Sequence, residues 1–99
     1  MGRATEADGV NSTAAGEGSV ASSRGSFVVG RHNVAEGDAS DWVETDPLFV
    51  VGNGTGDSED LPEVQSRNAF VVYKNGDIEM AGKVTMPPQG DISMGEFGE

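Results

Sequence analysis

The chain has 99 residues, no cysteine, 35% apolar residues and a net charge of −11. This excludes disulfide frameworks and Cys-ligated metal sites, and it argues against nucleic-acid binding, which needs a basic footprint. A thin apolar fraction in a short chain leaves a modest core, so extra burial is expected, with association between chains as its cheapest source.

In chain order, residues 1–8 are polar and read as a flexible N-terminus. No apolar run approaches the roughly 18 residues that span a bilayer, and no signal-peptide core follows Met1. Residues 9–43 carry a seven-residue repeat. Gly9, Gly16, Gly30 and Gly37 recur at that spacing, with Ser23 in the vacant slot. Small polar residues follow three positions later: Ser12, Ser19, Ser26, Asn33 and Ser40, with Thr5 starting the series. Small apolar residues follow two positions after those: Ala7, Ala14, Ala21, Val28 and Ala35.

One glycine per unit, at a cost of about 1 kcal/mol each in a helix, rules out a coiled coil. A short strand S-x-A-x closed by a G-x-x turn fits instead. Two such units make a coil of about 14 residues. The competing reading is a flexible Gly/Ser linker, but a linker has no reason to hold an apolar column in phase. The column Ala7, Ala14, Ala21, Val28, Ala35 is therefore assigned to the core or to a face between chains.

Phe-Val-Val occurs three times, at Phe27–Val29, Phe49–Val51 and Phe70–Val72. β-branched and aromatic residues throughout predict three strands with both faces covered. Residues 44–68 form the second of these strands and a long acidic loop. Within it Asp57, Ser58, Glu59 and Asp60 are the candidate ligand loop. Residues 69–99 form a C-terminal β segment. Tyr73-Lys74-Asn75-Gly76-Asp77 predicts a hairpin. Gly76-Asp77-Ile78-Glu79-Met80 returns as Gly90-Asp91-Ile92-Ser93-Met94, fourteen residues on. Met86, Met94 and Phe97 suggest a docking edge.

Candidate chemistry is sparse. His32 is the only histidine, lies in the turn columns and is expected to be exposed, with no triad partner. Trp42 is expected to pack at the end of the repeat. Asp57–Asp60, or Asp38, Asp41, Glu44 and Asp46, offer oxygen ligands to Ca²⁺. Neither set has the spacing of a known calcium loop, so solvated carboxylates are the simpler reading. No catalytic, cofactor or metal residues are assigned, and no enzyme is expected.

The stretch Ala7-Asp8-Gly9-Val10-Asn11-Ser12-Thr13-Ala14-Ala15-Gly16-Glu17-Gly18-Ser19-Val20-Ala21 resembles the YadA-type head repeat of trimeric autotransporter adhesins. The resemblance covers roughly residues 5–40. Departures are Ser23 for glycine and Val28 for alanine. Asp46–Thr55 and Arg67–Gly76 look like segments that follow such heads in bacterial surface and phage tail-fibre-like proteins. The resemblance implies an all-β fold: a left-handed parallel β-roll with about 14 residues per coil, then a β-hairpin or β-prism-like segment, in an intertwined homotrimer. It further implies an extracellular or virion setting and attachment to a host-surface protein or glycan; no nucleic-acid partner is expected from the net charge, and no membrane insertion from the short apolar runs. A structural spacer or collar is the alternative role.

Overall fold

The structure is a computed structural model describing residues 2–56 and 64–85. The described residues are all-β, with no helix. The strands are β1 (Gly2–Arg3), β2 (Glu6–Ala7), β3 (Thr13–Ala14), β4 (Gly16–Glu17), β5 (Val20–Ala21), β6 (Phe27–Arg31), β7 (Pro47–Asn53), β8 (Asn68–Tyr73) and β9 (Ile78–Met80). They form a seven-stranded sheet ordered β1-β4-β6-β7-β8-β9, with β3 also on β6, and a two-stranded sheet β2-β5.

The first half of the chain stacks in parallel with a fourteen-residue register. Gly2 pairs with Gly16, Glu6 with Val20, Thr13 with Phe27 and Glu17 with Arg31. Residues 2–7, expected to be a flexible terminus, supply the first layer of this stack. The repeat of seven is thus two unlike half-units, each pairing only with its own kind one layer away.

The glycines divide accordingly. Gly16 and Gly30 lie in strands, not in turns as the sequence pattern suggested. A Cβ on Gly2, Gly16 or Gly30 would overlap the carbonyl oxygen of the next glycine in the ladder, Gly16, Gly30 or Gly52. Their φ angles of 104–110° are accessible to glycine at little cost. The corners fall two residues later. Ala4, Asn11, Gly18, Gly25 and His32, each seven from the next, all take left-handed φ between 42 and 74°.

The polar column stabilises these corners. Ser12 Oγ donates to Gly9 O at 2.7 Å and Ser26 Oγ to Ser23 O at 2.8 Å, the same bond in successive layers. Each adds a side-chain bond to a turn carbonyl that also accepts the serine's own N–H. Ser23 interrupts the glycine column for a visible reason: its buried hydroxyl donates to Pro47 O at 2.6 Å.

The third layer is longer. Phe27, Val28, Val29 and Gly30 pair with Phe49, Val50, Val51 and Gly52, an offset of twenty-two. The eight extra residues lie between Val34 and Asp46 and fold back over the corners below. There Arg24 N donates to Asp38 O at 2.8 Å and Val10 N to Ala39 O at 2.9 Å. β8 then returns antiparallel, Val50 opposite Val71, and β9 follows through the hairpin. The hairpin forms as its Asn-Gly pair predicts: Tyr73 N donates to Asp77 O and Gly76 N to Tyr73 O, both at 2.8 Å. The first Gly-Asp-Ile-x-Met copy is therefore a hairpin arm and not a further parallel layer. Gly90–Met94, Met86 and Phe97 lie outside the described residues.

The core is a single cluster: Ala14, Val28, Val50 and Val71 in one register column and Ala21 from the two-stranded sheet, with Tyr73 packed against them. The central valines of the three Phe-Val-Val strands supply most of its volume.

Candidate interaction surface

Strand alternation sends the residues flanking each core valine to the opposite side of the sheet. Register aligns them in two rows. One runs Thr13, Phe27, Phe49, Val72, Ile78, and the other Val29, Val51, Phe70, Met80. The three phenyl rings touch in sequence. Phe27 and Phe49 are 5.9 Å apart between centroids, and Phe49 and Phe70 are 6.2 Å apart in an edge arrangement. Such pairs contribute roughly 0.5–1.5 kcal/mol beyond area burial.

These strands were expected to be covered on both faces. Among the described residues only the inner face is. Phe27 stays 44% exposed, Ile78 55% and Met80 52%. The two rows carry no charge, and at the far end of the sheet Arg31 of β6 is paired with Glu17 at 3.8 Å. Glu79, the carboxylate of β9, is in register with Val71 and so lies on the other side, where its Oε1 accepts the Tyr73 hydroxyl at 2.7 Å. That bond, with burial second, pushes the Tyr73 phenol up to about 12.

The sequence-derived apolar column falls elsewhere. Ala14, Ala21 and Val28 are buried by the chain's own layers, while Ala7 and Ala35 are exposed. Side chains already enclosed in one chain present no surface to another. Ala35 leaves the column because the chain turns into its long third layer just before it. Asp57, Ser58, Glu59 and Asp60 lie outside the described residues.

His32 is buried, at 5% exposure, where the repeat position predicted an exposed side chain. Its ring occupies the space that a Gly18 side chain would fill, and Nε2 lies 3.1 Å from Gly56 O. Arg31 Nη2 donates to the same carbonyl at 2.7 Å. His32 borders a hollow of about 390 Å³ shared with Glu6, Val20, Asn33, Val64 and Ser66. Nothing there pairs a nucleophile with a base, and no group of metal-ligating side chains occurs among the described residues.

Trp42, expected to pack at the end of the repeat, is 51% exposed on the long third layer. The Lys74 ammonium sits 4.4 Å over its ring, and the indole N–H donates to Glu44 Oε2 at 2.9 Å. Lys74 Nζ is buried without a hydrogen-bond acceptor; the indole face and the charge of Asp38 are its electrostatic partners. Nearby, Asp38 accepts the N–H groups of Asp41 and Ser40 at 2.8 and 2.9 Å, which hold its carboxyl below the ordinary value.

Two features were missed from sequence: the outward rows and Asn33, whose side-chain amide bonds both the N–H and the carbonyl of Val20. The rows were legible in the alternation inside each Phe-Val-Val, once the middle valine is known to face inward.

No family model matches the chain, and searches of curated proteins and of solved structures also find no match. No helix among the described residues is long and apolar enough to cross a membrane.

Proposed function

We propose that this chain is a non-enzymatic head module of a homotrimeric surface adhesin or tail fibre, mediating attachment outside the cell or on a virion. Its first half is taken as a left-handed parallel β-roll with about 14 residues per coil. The observation that carries the reading is the fourteen-residue parallel register, with glycine stacked on glycine through Gly2, Gly16 and Gly30. It agrees with the period of the YadA-type repeat that residues 5–40 resemble.

A passive spacer or collar is the second reading. Ser19, Ser23, Ser26 and Asn33 are all buried. The polar residues of the repeat are thus occupied in stacking and leave few groups for a ligand. Deleting residues 56–65 from the parent fibre separates the two: lost attachment to host protein or glycan supports the adhesin, and unchanged attachment supports the spacer.

Sedimentation equilibrium at micromolar concentration tests the assembly. A trimer is expected, and a folded monomer at all concentrations refutes the reading. The proposal requires no cofactor, so calcium and EDTA should leave the melting temperature unchanged.

A further inference from the structure

We propose that the uncharged outer face of β6–β9, centred on Phe27, Phe49 and Phe70, is the surface through which copies of this chain meet. The inference rests on the assembly reading above and goes beyond it by assigning the contact to particular residues.

Three observations converge. First, a sheet that buries one face on its own core still presents the other, and a stable architecture covers both when both are apolar. Here the outer rows are open to solvent at Phe27 and at Ile78 and Met80 of the edge strand, each about half exposed.

Second, the charge pattern selects the occupant. The chain carries a net charge of −11, yet Thr13, Phe27, Phe49, Val72, Ile78 and the row behind them carry none. Glu17 and Arg31 form a 3.8 Å ion pair at the sheet's far end, so even the border is neutralised. A charged partner, whether basic protein or lipid headgroup, finds nothing on this face to recognise. An identical chain finds an apolar counterpart, and brings its carboxylates together least when it docks here. Because neither row carries a charge, the like charges of two copies stay off the contact itself.

Third, the rings on the face form one contiguous contact. Phe27, Phe49 and Phe70 hold one another in place along the ladder, so little side-chain freedom is lost when a second surface lands on it. Most soluble oligomers are closed symmetric assemblies of identical chains, and an exposed apolar patch is a means of forming one.

The test compares the full chain with Ile78→Asp, Met80→Asp and the double variant by sedimentation equilibrium, with circular dichroism to verify folding. Both side chains are more than half exposed, so the fold should persist. Val10→Asp, at an exposed valine on the corner side, is the control. The expected result is at least tenfold weaker association for each single variant and a monomer for the double, with Val10→Asp unchanged. An assembled wild type whose Ile78 and Met80 variants associate equally well overturns the assignment and leaves the assembly reading standing. A monomeric wild type overturns both. Binding of the wild type to neutral phosphatidylcholine vesicles, abolished by Ile78→Asp, would also overturn it by showing lipid to be the occupant.

Discussion

Asn33 completes the strand of Val20 with its side chain alone. Its Oδ1 accepts the Val20 N–H at 2.8 Å, and its Nδ2 donates to Val20 O at 3.0 Å. One amide thus reproduces the pair of bonds that the next strand of the stack would have made. Asn68 repeats part of the device one step on, its Oδ1 accepting Val34 N–H at 2.8 Å. Asn33→Leu leaves both Val20 groups without partners, and a loss of about 2–4 kcal/mol is expected. Asn68→Ala, acting on one exposed group, should cost only about 1 kcal/mol. Urea unfolding of the two variants gives the comparison; equal losses would show that Asn33 does not cap the sheet.

The glycine ladder gives a sharper contrast. Gly30→Ala forces a methyl into the carbonyl of Gly52 in the middle of the sheet. Backbone on both sides prevents relaxation, so a loss above about 3 kcal/mol is expected, a large share of the stability of a small domain. Gly82→Ala meets nothing within 4 Å and should change stability by less than about 0.5 kcal/mol. Thermal melts of both variants decide the point, and a Gly30→Ala melt like that of the wild type is the contrary outcome.

Ala4 holds a left-handed φ of 56° at the first corner. Glycine adopts that conformation without the roughly 1–2 kcal/mol that a Cβ costs there, though it loses more freedom on folding. Ala4→Gly should therefore stabilise the first layer by about 0.5–1 kcal/mol. The local reporter is the Gly18 amide, which donates to Arg3 O at 2.8 Å. Its hydrogen exchange should slow by about two- to fivefold; faster exchange would mean that the corner gains more from its methyl than it loses in strain.

Tyr73 sets an alkaline limit. Its phenol, hydrogen-bonded to Glu79, is raised from 10.0 to about 12. Folding therefore favours the protonated form. The stability this contributes is complete below about pH 10 and is lost as pH rises through about 12. Tyr73→Phe removes that dependence. Between pH 10 and 12 the melting temperature of the wild type should fall more steeply than that of Tyr73→Phe, and parallel slopes would contradict the coupling.

Much of the backbone was legible in the sequence. Glycine, serine and alanine recurring in phase specify where the chain can bend and where layers approach closely, and Asn75-Gly76 specifies a hairpin. These are short-range demands of φ and of side-chain volume, and each acts within a few residues. The position of His32 was not legible, because its burial depends on Gly18 one layer away and on Gly56 from a later segment. Likewise the column through Ala35 continued in sequence but not in space, since the departure begins with Asn33 turning its amide onto Val20.

By itself the sequence determined an all-β chain with a seven-residue unit, strands at each Phe-Val-Val and a hairpin at Asn75-Gly76, because strand alternation and turn chemistry are written locally. Only the tertiary structure decided which half-unit pairs with which, that the third Phe-Val-Val strand runs antiparallel, and that Phe27, Phe49 and Phe70 share one open face. Those outcomes depend on partners far apart in the chain. The core has volume for one side of each strand, and the valines at the centre of each tripeptide fill it.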